Sequence, residues 1–414
     1  MKWIYRFVLS LAKIVLPIVG LLVPKVGYFL AGRNKLFERL SDFREQNMGD
    51  LLWFHVASLG EYEQARPVIA LMKEKYPSAK VVVSFFSPSG YDHVIKKPQQ
   101  NVDFISYLPL DTHSNATRFV SLLHPTLVFF VKYDLWYEHI LALKNRSIPV
   151  FLFSASFRSD QSYFKSDGFF RKILFQLDHI FTQNQNSLEL LESIGYANGS
   201  FAGDTRFDRV ADSAKSPKIF PELEQWSTGK TVNVAGSVWQ EDMDLLIPLL
   251  NRNPKDKWII APHDLDAESM GRWSSELSSK AVRYSQWDYD PEVRIIFIDN
   301  IGMLSSLYQF ARIAYVGGAF GKGLHNILEP LGFGVPVMFG KVKKQAKFPE
   351  ASQSQFNGCG FEVGTVLEIE RIYQKLQKEE HYNQCITAAQ SWVEANVGAS
   401  KRIVDGVEKM FVKS

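Results

Sequence analysis

The chain has 414 residues, which is too long for a single hydrophobic core, so at least two domains are expected. Hydrophobic residues make up 46% and charged residues 22% of the sequence, which is the composition of a folded protein and excludes extensive disorder. The 47 basic residues barely exceed the 44 acidic ones, so a broad basic face for nucleic acid is excluded and no nucleic-acid partner is expected.

The first 35 residues form an apolar segment whose charges are all basic. Lys13 interrupts it, and the longest uncharged run, at 14–24, is about half of the roughly 20 residues that a transmembrane helix needs. Four residues are expected to break a spanning helix: Pro17, Gly20, Pro24 and Gly27. We predict that segment 1–35 associates with a membrane surface of anionic lipids, either peripherally or as a single N-terminal anchor. The alternative is a pair of helices buried in the fold.

From residue 51 onward, short apolar runs alternate with segments of helical periodicity. Seven candidate strands precede residue 207, namely Leu51–Ala57, Lys80–Phe86, Phe104–Tyr107, Leu127–Val131, Val150–Phe153, Ile180–Thr182 and Ser200–Ala202. Five follow residue 230, namely Thr231–Ala235, Trp258–Ala261, Arg294–Ile298, Ile313–Val316 and Val335–Met338. Strands separated by helices form right-handed βαβ units. The pattern therefore predicts an α/β protein of two doubly wound, Rossmann-like domains with a cleft between them.

The same pattern places the domain boundaries. After segment 1–35 we expect an N-terminal domain at 36–207 and a second domain at 231–396. Between them, at 208–230, the alternation is lost around Ser216, Pro217, Pro221 and Gly229, so this segment is expected to be a linker. The final helix, at 397–414, is expected to pack back on the N-terminal domain.

Ligands of open α/β sheets bind beyond the carboxyl ends of the strands. After the first predicted strand come Ser58, Gly60 and Glu61, and then a helix begins. Glu61 either caps that helix or acts as a general base on a hydroxyl. Asp134 follows the fourth strand and is a second acid near the same edge of the sheet.

The second domain carries a glycine-rich stretch, YVGGAFGKGLHNILEP, at Tyr315–Pro330. It predicts a strand, a glycine loop and a helix beginning near Asn326, a junction at which backbone amides and the helix dipole bind an anion. The alternative is a tight turn that merely needs glycine. Three polar residues beside the loop favour a ligand, namely His325, Asn326 and Glu329. The Glu329 carboxylate is placed to accept hydrogen bonds from two hydroxyls of a sugar.

Two further strand ends of the second domain offer polar groups. Ser237 follows one strand, and Pro262 and His263 follow the next, although His263 is also interpreted as an ordinary loop histidine. No metal cage is evident, because the pairs of the Asp-x-Asp type read as capping or solvated residues, and no cofactor is predicted. The two cysteines lack metal-ligand spacing and indicate a reducing compartment.

Taken in order, these motifs resemble the 3-deoxy-D-manno-octulosonic acid (Kdo) transferases. The resemblance extends in order from the N-terminal arm to the C-terminal helices. The stretches that carry it are FHVASLGEYEQARPVI around Glu61, YLPLD at Tyr107–Asp111, DLW at Asp134–Trp136, AGDTRFD at Ala202–Asp208, and VGGAFGKGLHNILEPLGFGVPVMFG. The resemblance implies a GT-B glycosyltransferase of lipopolysaccharide synthesis at the cytoplasmic face of the inner membrane. Such enzymes move Kdo from CMP-Kdo to a glucosamine hydroxyl of a lipid A precursor (lipid IVA), with inversion and without a catalytic metal.

The resemblance also implies roles for residues. Glu61 matches the general base of the family. The N-terminal domain corresponds to the acceptor domain of the family, and the second domain corresponds to its CMP-sugar-binding domain. The CMP-binding motifs of the family fall on Ser237, Pro262, His263, Gly317, Gly318, Asn326 and Glu329.

Three departures from the family pattern leave contacts to be replaced. The usual E-T-E-L-W-P is KYDLWY here, beginning at Lys132, and N-A-R-L-S is SASFR, ending at Arg158. P-R-H-P is APHD, which lacks the arginine. Lys132 and Arg158 are the candidates to replace the lost contacts. Two alternatives stay open: another GT-B transferase or an epimerase acting on a UDP-sugar, and a non-catalytic, membrane-bound sugar-nucleotide binder.

Overall fold

The computed structural model describes residues 1–165, 168–321, 323–343 and 345–411. The chain divides into two compact units, of which unit 1 is Met1–Arg209 with Gly398–Ser414 and unit 2 is Val210–Val397. Each unit is built around its own seven-stranded sheet.

The strands of unit 1 are β1 (Leu51–Val56), β2 (Lys80–Phe85), β3 (Phe104–Tyr107), β4 (Leu127–Val131), β5 (Val150–Ala155), β6 (His179–Thr182) and β7 (Gly199–Phe201). Those of unit 2 are β8 (Val232–Val238), β9 (Lys257–Pro262), β10 (Ala281–Arg283), β11 (Ile295–Phe297), β12 (Ala314–Val316), β13 (Val337–Gly340) and β14 (Gly360–Val363). The α-helices are α1 (Lys2–Leu22), α2 (Pro24–Ala31), α3 (Leu36–Gln46), α4 (Leu59–Lys75), α5 (Pro88–Val94), α6 (His113–Leu123), α7 (Tyr137–Lys144), α8 (Ser162–Lys165), α9 (Phe169–Leu174), α10 (Gln185–Ser193), α11 (Thr205–Lys215), α12 (Pro221–Ser227), α13 (Gln240–Arg252), α14 (Ala267–Glu276), α15 (Leu304–Leu307), α16 (Leu328–Gly332), α17 (Pro349–Phe356), α18 (Val366–Leu376), α19 (Glu379–Asn396) and α20 (Ala399–Phe411).

Both sheets are parallel and doubly wound, as predicted. Their strand orders are β3-β2-β1-β4-β5-β6-β7 and β10-β11-β9-β8-β12-β13-β14. Strands such as β1 and β4 are buried along their whole length, as expected for uninterrupted apolar runs covered by helices on both faces. The winding direction reverses between β1 and β4 in unit 1 and between β8 and β12 in unit 2. Reversal points of this kind are where open α/β sheets bind ligands.

Three elements depart from the sequence-based expectation. The short strands β10 and β14 at the outer edges of the second sheet were not predicted, because three or four residues carry too little periodicity to be recognised. The segment expected to be a linker, 208–230, holds the end of α11 and all of α12. The chain passes from unit 1 into unit 2 within α11.

Four residues were expected to break the N-terminal helix, and this expectation is wrong for the first two of them, Pro17 and Gly20. Helix α1 continues through Pro17 and Gly20 and ends only before Val23. An 18-residue window of this helix has a mean hydropathy of 1.9, and none of its 21 residues is buried, so it is long and apolar enough to cross a membrane. Gly20 and Gly27 explain its packing on α2, because a Cβ on Gly27 would lie 2.7 Å from the Gly20 carbonyl oxygen.

One face of α1 is docked on unit 1 and the other is apolar and exposed. Tyr5 donates a hydrogen bond to Asp111, and Arg6 forms a bidentate pair with the buried Glu138 at 2.6 and 2.9 Å. The exposed face carries large apolar side chains, namely Trp3, Ile4, Phe7, Val8, Leu11, Ile14, Val15, Ile18, Leu21 and Leu22.

The last helix, α20, belongs to the core of unit 1. Ile403, Val404 and Val407 are buried among the residues of the first sheet. The Asp208 carboxylate accepts hydrogen bonds from the backbone amides of Gly398 and Ser400, at the start of this helix.

Candidate functional site

Glu61 lies in the first turn of α4, directly beyond the carboxyl end of β1. Its side chain is buried, with only 7% of the residue exposed, and Oε2 accepts a hydrogen bond of 2.5 Å from the Ala57 amide. Ser58 is the N-cap residue of the same helix. Gly60 lies over open space, because a Cβ there would meet nothing closer than the Ser58 hydroxyl at 4.0 Å. Bulky groups can therefore approach the backbone beside Glu61.

The environment of Glu61 raises the pKa of its carboxyl to about 7, and burial is the largest cause. The Ala57 amide opposes this shift, the Asp134 carboxylate adds to it, and the Lys132 ammonium opposes it. Three predicted residues, one after β1 and two after β4, are thus close enough to interact. A carboxylate with a pKa near neutrality is suited to general base catalysis.

Asp134 is held by two nitrogen groups from neighbouring segments. Its Oδ2 lies 3.2 Å from His55 Nε2 and 3.1 Å from Trp136 Nε1, and these two nitrogens are 3.0 Å apart. Lys132, two residues earlier, has a φ of 65°. Such a conformation is uncommon for a residue with a side chain and is often found at functional sites.

Arg158 is not brought to this group by the described contacts. Its guanidinium pairs with Asp160 at 3.3 Å and about half of its side chain is exposed. Its backbone amide donates to Gln161. The idea that Arg158 replaces the arginine of the family therefore stays a prediction.

In unit 2, Gly317 and Gly318 follow β12 and pack tightly against the start of α13. A Cβ on Gly317 would lie 2.5 Å from both Asp242 Oδ2 and the Ser237 carbonyl oxygen, and Gly318 has a φ of 93°. Asp242 caps α13 by accepting from the Trp239 amide at 2.9 Å, and it also accepts from the Gly318 amide at 3.0 Å. Of the two roles predicted for the Asp-x-Asp pairs, capping or solvated, the buried Asp242 has the capping one.

The predicted anion site at the glycine loop is changed in one respect. The amides of Gly318, Gly321 and Gly323 already donate to Asp242 or to the Gly318 carbonyl, and that of Gly317 donates to Gly236. The following helix, α16, begins at Leu328 and has only five residues, so its dipole is weak. The glycines therefore shape the loop and allow close approach, whereas the side chains around it supply the polar contacts.

Three aromatic rings stack beside this loop. The centroid of the His263 ring lies 4.3 Å from that of the Trp239 ring, at an interplanar angle of 23°. It lies 4.6 Å from the centroid of the His325 ring, at an interplanar angle of 32°. Trp239 Nε1 donates to His325 Nε2 at 3.4 Å. Burial lowers the pKa of His325 to about 4, with a further contribution from His263, so that His325 is a neutral acceptor at pH 7. The stack joins residues that follow β8, β9 and β12.

The remaining predicted residues of unit 2 lie at the same strand ends. Ser237 has a φ of 54° at a bulge between β8 and β9, and Pro262 ends β9. Asn326 donates to Glu329 Oε1 at 3.4 Å, so these two form a polar pair. Within the described part of the chain, no group of three or more metal-ligating side chains is arranged to hold an ion.

Sequence reasoning assigned no role to His55, Ser84 or Trp239. A signal was available for His55, which is the only polar residue of the fully buried strand LLWFHV. A buried polar side chain needs a partner, and the partners of this one lead to Asp134. Trp239 gave no such signal, because its ring contacts arise only when three separate loops meet.

Comparisons with known proteins point to one family. Residues 34–209 match the family model described as 3-deoxy-D-manno-octulosonic-acid transferase (kdotransferase). The 3-deoxy-D-manno-octulosonic acid transferase of Haemophilus influenzae is 26% identical over 368 residues, which are 86% of this chain and 86% of that protein. The enzyme of that name from Aquifex aeolicus is 26% identical over 78% of this chain and 85% of its own length.

Solved structures share the fold at lower identity. A UDP-N-acetylglucosamine 2-epimerase structure superimposes with a TM-score of 0.61 at 14% identity, covering 89% of this chain and 98% of that chain. Acinetobacter baumannii MurG gives a TM-score of 0.56 at 14% identity, with coverages of 87% and 100%. With the two parallel sheets, these likenesses confirm the GT-B fold. The resemblance read from the motifs is likewise confirmed: residues 34–209 match the Kdo transferase domain, and most of the chain is similar to proteins named 3-deoxy-D-manno-octulosonic acid transferase.

Proposed function

We propose that this protein transfers Kdo from CMP-Kdo to a glucosamine hydroxyl of a lipid A precursor, lipid IVA, with inversion at the transferred carbon. The proposal depends chiefly on Glu61, a buried carboxylate beyond the reversal point of the first sheet whose pKa is raised to about 7. The names of the curated relatives support the donor sugar.

The proposed reaction is a displacement with base catalysis. The Glu61 carboxylate removes the proton of the acceptor hydroxyl while the oxygen of that hydroxyl forms a bond to the anomeric carbon of Kdo. The bond from that carbon to the CMP phosphate oxygen breaks, and CMP departs with the electron pair. A buried base with a raised pKa holds the proton readily, which favours the step at neutral pH. Attack opposite the leaving group gives inversion.

Unit 2 is proposed to hold the nucleotide part of the donor. The Trp239, His263 and His325 rings offer flat aromatic surface, and the Asn326 and Glu329 pair offers donors and acceptors for ribose hydroxyls. Gly317 and Gly318 permit close approach of a phosphate to the backbone. Ser237 and Pro262 border the same strand ends, and Ser58, Gly60 and Lys132 border Glu61 on the acceptor side.

A test uses purified protein in detergent with CMP-Kdo and lipid IVA, followed by mass spectrometry of the lipid. We expect a product heavier by whole Kdo residues, and we expect CMP to compete with the donor while UDP does not. A UDP-sugar enzyme is the second candidate, since the structural neighbours include a UDP-N-acetylglucosamine 2-epimerase. Competition by UDP together with an unchanged lipid mass would favour that candidate and reject ours.

We also propose that α1 lies in the membrane interface instead of crossing the bilayer. Tyr5 packs on the rings of Tyr137 and Phe169, and Arg6 pairs with Glu138, so a spanning α1 would carry parts of unit 1 into hydrocarbon or lose these contacts. Its apolar face points away from the docked face, and its lysines suit anionic lipid. We propose that the membrane is the inner membrane and that the enzyme attaches to its cytoplasmic face, next to a lipid acceptor, as the resemblance to the family implies.

A further inference from the structure

A line of hydrogen bonds runs from the core of unit 1 to Asp134. Trp53 Nε1 donates to Ser84 Oγ at 2.8 Å, and Ser84 Oγ lies 2.9 Å from His55 Nδ1. His55 Nε2 lies 3.2 Å from Asp134 Oδ2, which also accepts from Trp136. Trp53, His55 and Ser84 are fully buried on the adjacent strands β1 and β2, whereas the Asp134 side chain is 28% exposed. The line therefore joins a rigid interior to a carboxylate at the surface.

The donors and acceptors of this line are all satisfied by one arrangement of protons. An indole N–H only donates, so the Ser84 oxygen accepts from Trp53 and its hydroxyl proton is available for His55 Nδ1. His55 Nε2–H then donates to Asp134. The Trp136 Nε1–H lies 3.0 Å from His55 Nε2 and 3.1 Å from Asp134 Oδ2, and in this arrangement it donates to the carboxylate beside His55. In the opposite tautomer Nε2 would accept from Trp136 instead, but its lone pair would face the Asp134 carboxylate at 3.2 Å and the Ser84 proton would lack this acceptor. The first arrangement is therefore favoured.

The charge state of His55 fits the same arrangement. Burial is the largest influence on His55 and lowers the pKa of its imidazole; the Asp134 carboxylate opposes this, and His139 adds to it. A neutral imidazole can orient a carboxylate without neutralising it. The negative charge of Asp134 therefore remains available to act on Glu61, where the other nearby charge is that of Lys132.

We infer that His55 is a positioning residue for transfer: as the neutral Nε2–H tautomer, supported by Ser84 and Trp53, it fixes the Asp134 carboxylate beside Glu61. This inference rests on the proposed role of Glu61 as the base. When Glu61 takes the acceptor proton, its negative charge disappears, and the fixed negative charge of Asp134 stabilises the protonated form. A mobile Asp134 would swing toward water and lose much of this effect, because solvent screens charges strongly.

The first experiment needs no activity. The full chain is labelled with ¹⁵N-histidine, the nine histidines are observed by NMR, and the His55 signals are assigned with His55→Gln. We expect a neutral Nε2–H tautomer from pH 6 to about pH 8, the range in which a histidine ordinarily loses its proton. We also expect Asp134→Asn to move the Nε2–H proton resonance. An Nδ1–H tautomer or an imidazolium at neutral pH would overturn the inference, even in a protein without transferase activity.

The second experiment compares two substitutions of His55. In His55→Gln the side-chain amide nitrogen reaches the position of Nε2 and keeps a donor toward Asp134, whereas in His55→Asn the amide stays near Ser84 and Asp134 loses that donor. We expect His55→Asn to lose roughly 10- to 100-fold in kcat with little change in the KM for CMP-Kdo, and His55→Gln to recover most of that loss. Equal loss in both variants would show that His55 only fills the core.

A double substitution separates positioning from folding. If His55 acts through Asp134, adding His55→Asn to Asp134→Asn causes no further loss of kcat, whereas independent roles give losses that multiply. CMP binding, assigned to unit 2, and the unfolding temperature report whether each variant is folded. If wild-type protein transfers no Kdo, the proposed function fails, and the NMR experiment still decides whether His55 holds Asp134.

Discussion

A carboxylate in the first turn of a helix is usually stabilised as an anion by the helix dipole. Glu61 occupies such a position and also accepts the Ala57 amide, yet the pKa of its carboxyl rises to about 7. Burial outweighs both stabilising contacts, and Asp134 adds to its effect. Residue type and position were enough to predict Glu61 as a candidate base. The size of the pKa shift was not predictable, because it depends on burial and on charges from a strand that is distant in sequence.

The same balance gives a prediction for the pH dependence of transfer. A base must be deprotonated to act, so kcat/KM should fall below an apparent pKa near 7. Lys132 lowers the pKa of Glu61 and Asp134 raises it. Lys132→Gln should therefore move the acid limb of the profile to higher pH, and Asp134→Asn should move it to lower pH. The measurement is kcat/KM for CMP-Kdo from pH 5 to about pH 9, a range centred on that apparent pKa. Shifts in the opposite directions, or an unchanged limb in both variants, would contradict the role of Glu61.

At the scale of elements, the strands were predictable from the sequence, whereas the glycine loop and helix α1 were less so. Continuous apolar runs such as LVFFV identified buried parallel strands, and the candidate residues were then sought directly after the carboxyl ends of those strands. The engaged amides of the glycine loop were not predictable, because they donate to the Gly318 carbonyl within the folded loop, to the Gly236 carbonyl of β8, and to Asp242, which reaches the loop from another helix. Pro17 inside α1 was also misjudged, since one missing backbone hydrogen bond did not end a helix that is docked along one face.

The glycine loop offers a matched pair of substitutions. Gly317→Ala places a Cβ 2.5 Å from Asp242 Oδ2 and from the Ser237 carbonyl, whereas Gly271→Ala in α14 meets nothing within 4 Å. We expect Gly317→Ala to lower the unfolding temperature and to weaken CMP binding by roughly tenfold or more, since backbone or carboxylate must shift. Gly271→Ala should be neutral or slightly stabilising. Calorimetry and CMP titration measure both effects, and equal behaviour of the two variants would show that the packing at Gly317 is unimportant.

Helix α1 offers a second pair. Phe7 is 68% exposed on the apolar face of α1, and Met48 is 79% exposed outside that helix. We expect Phe7→Glu to release much of the protein from vesicles that contain anionic lipid, because a charge is costly in the membrane interior. Met48→Glu should have little effect. Flotation of the vesicles measures binding, and equal release by both substitutions would argue that α1 is not the attachment surface.

For the whole molecule, the structural units do not follow the order of the chain, because the C-terminal segment belongs to the first unit. The last helix returns to the first unit through Ile403, Val404 and Val407, and Asp208 caps its beginning. The pattern of the sequence predicted a helix there that packs back on the N-terminal domain. By contrast, the partners of buried polar groups, such as His55 with Ser84, require the register of β1 against β2 and could not be read from the chain.

The most direct test of the account compares donor binding and transfer in Glu61→Ala. Binding of CMP-Kdo is measured by calorimetry, and transfer to lipid IVA is measured by mass spectrometry on the same preparations. Because a base acts on the transition state, we expect binding within a few-fold of wild type while transfer falls by at least about 100-fold. Transfer by Glu61→Ala at nearly the wild-type rate, or an equal loss of binding and transfer, would contradict the claim that Glu61 is the base of a Kdo transferase.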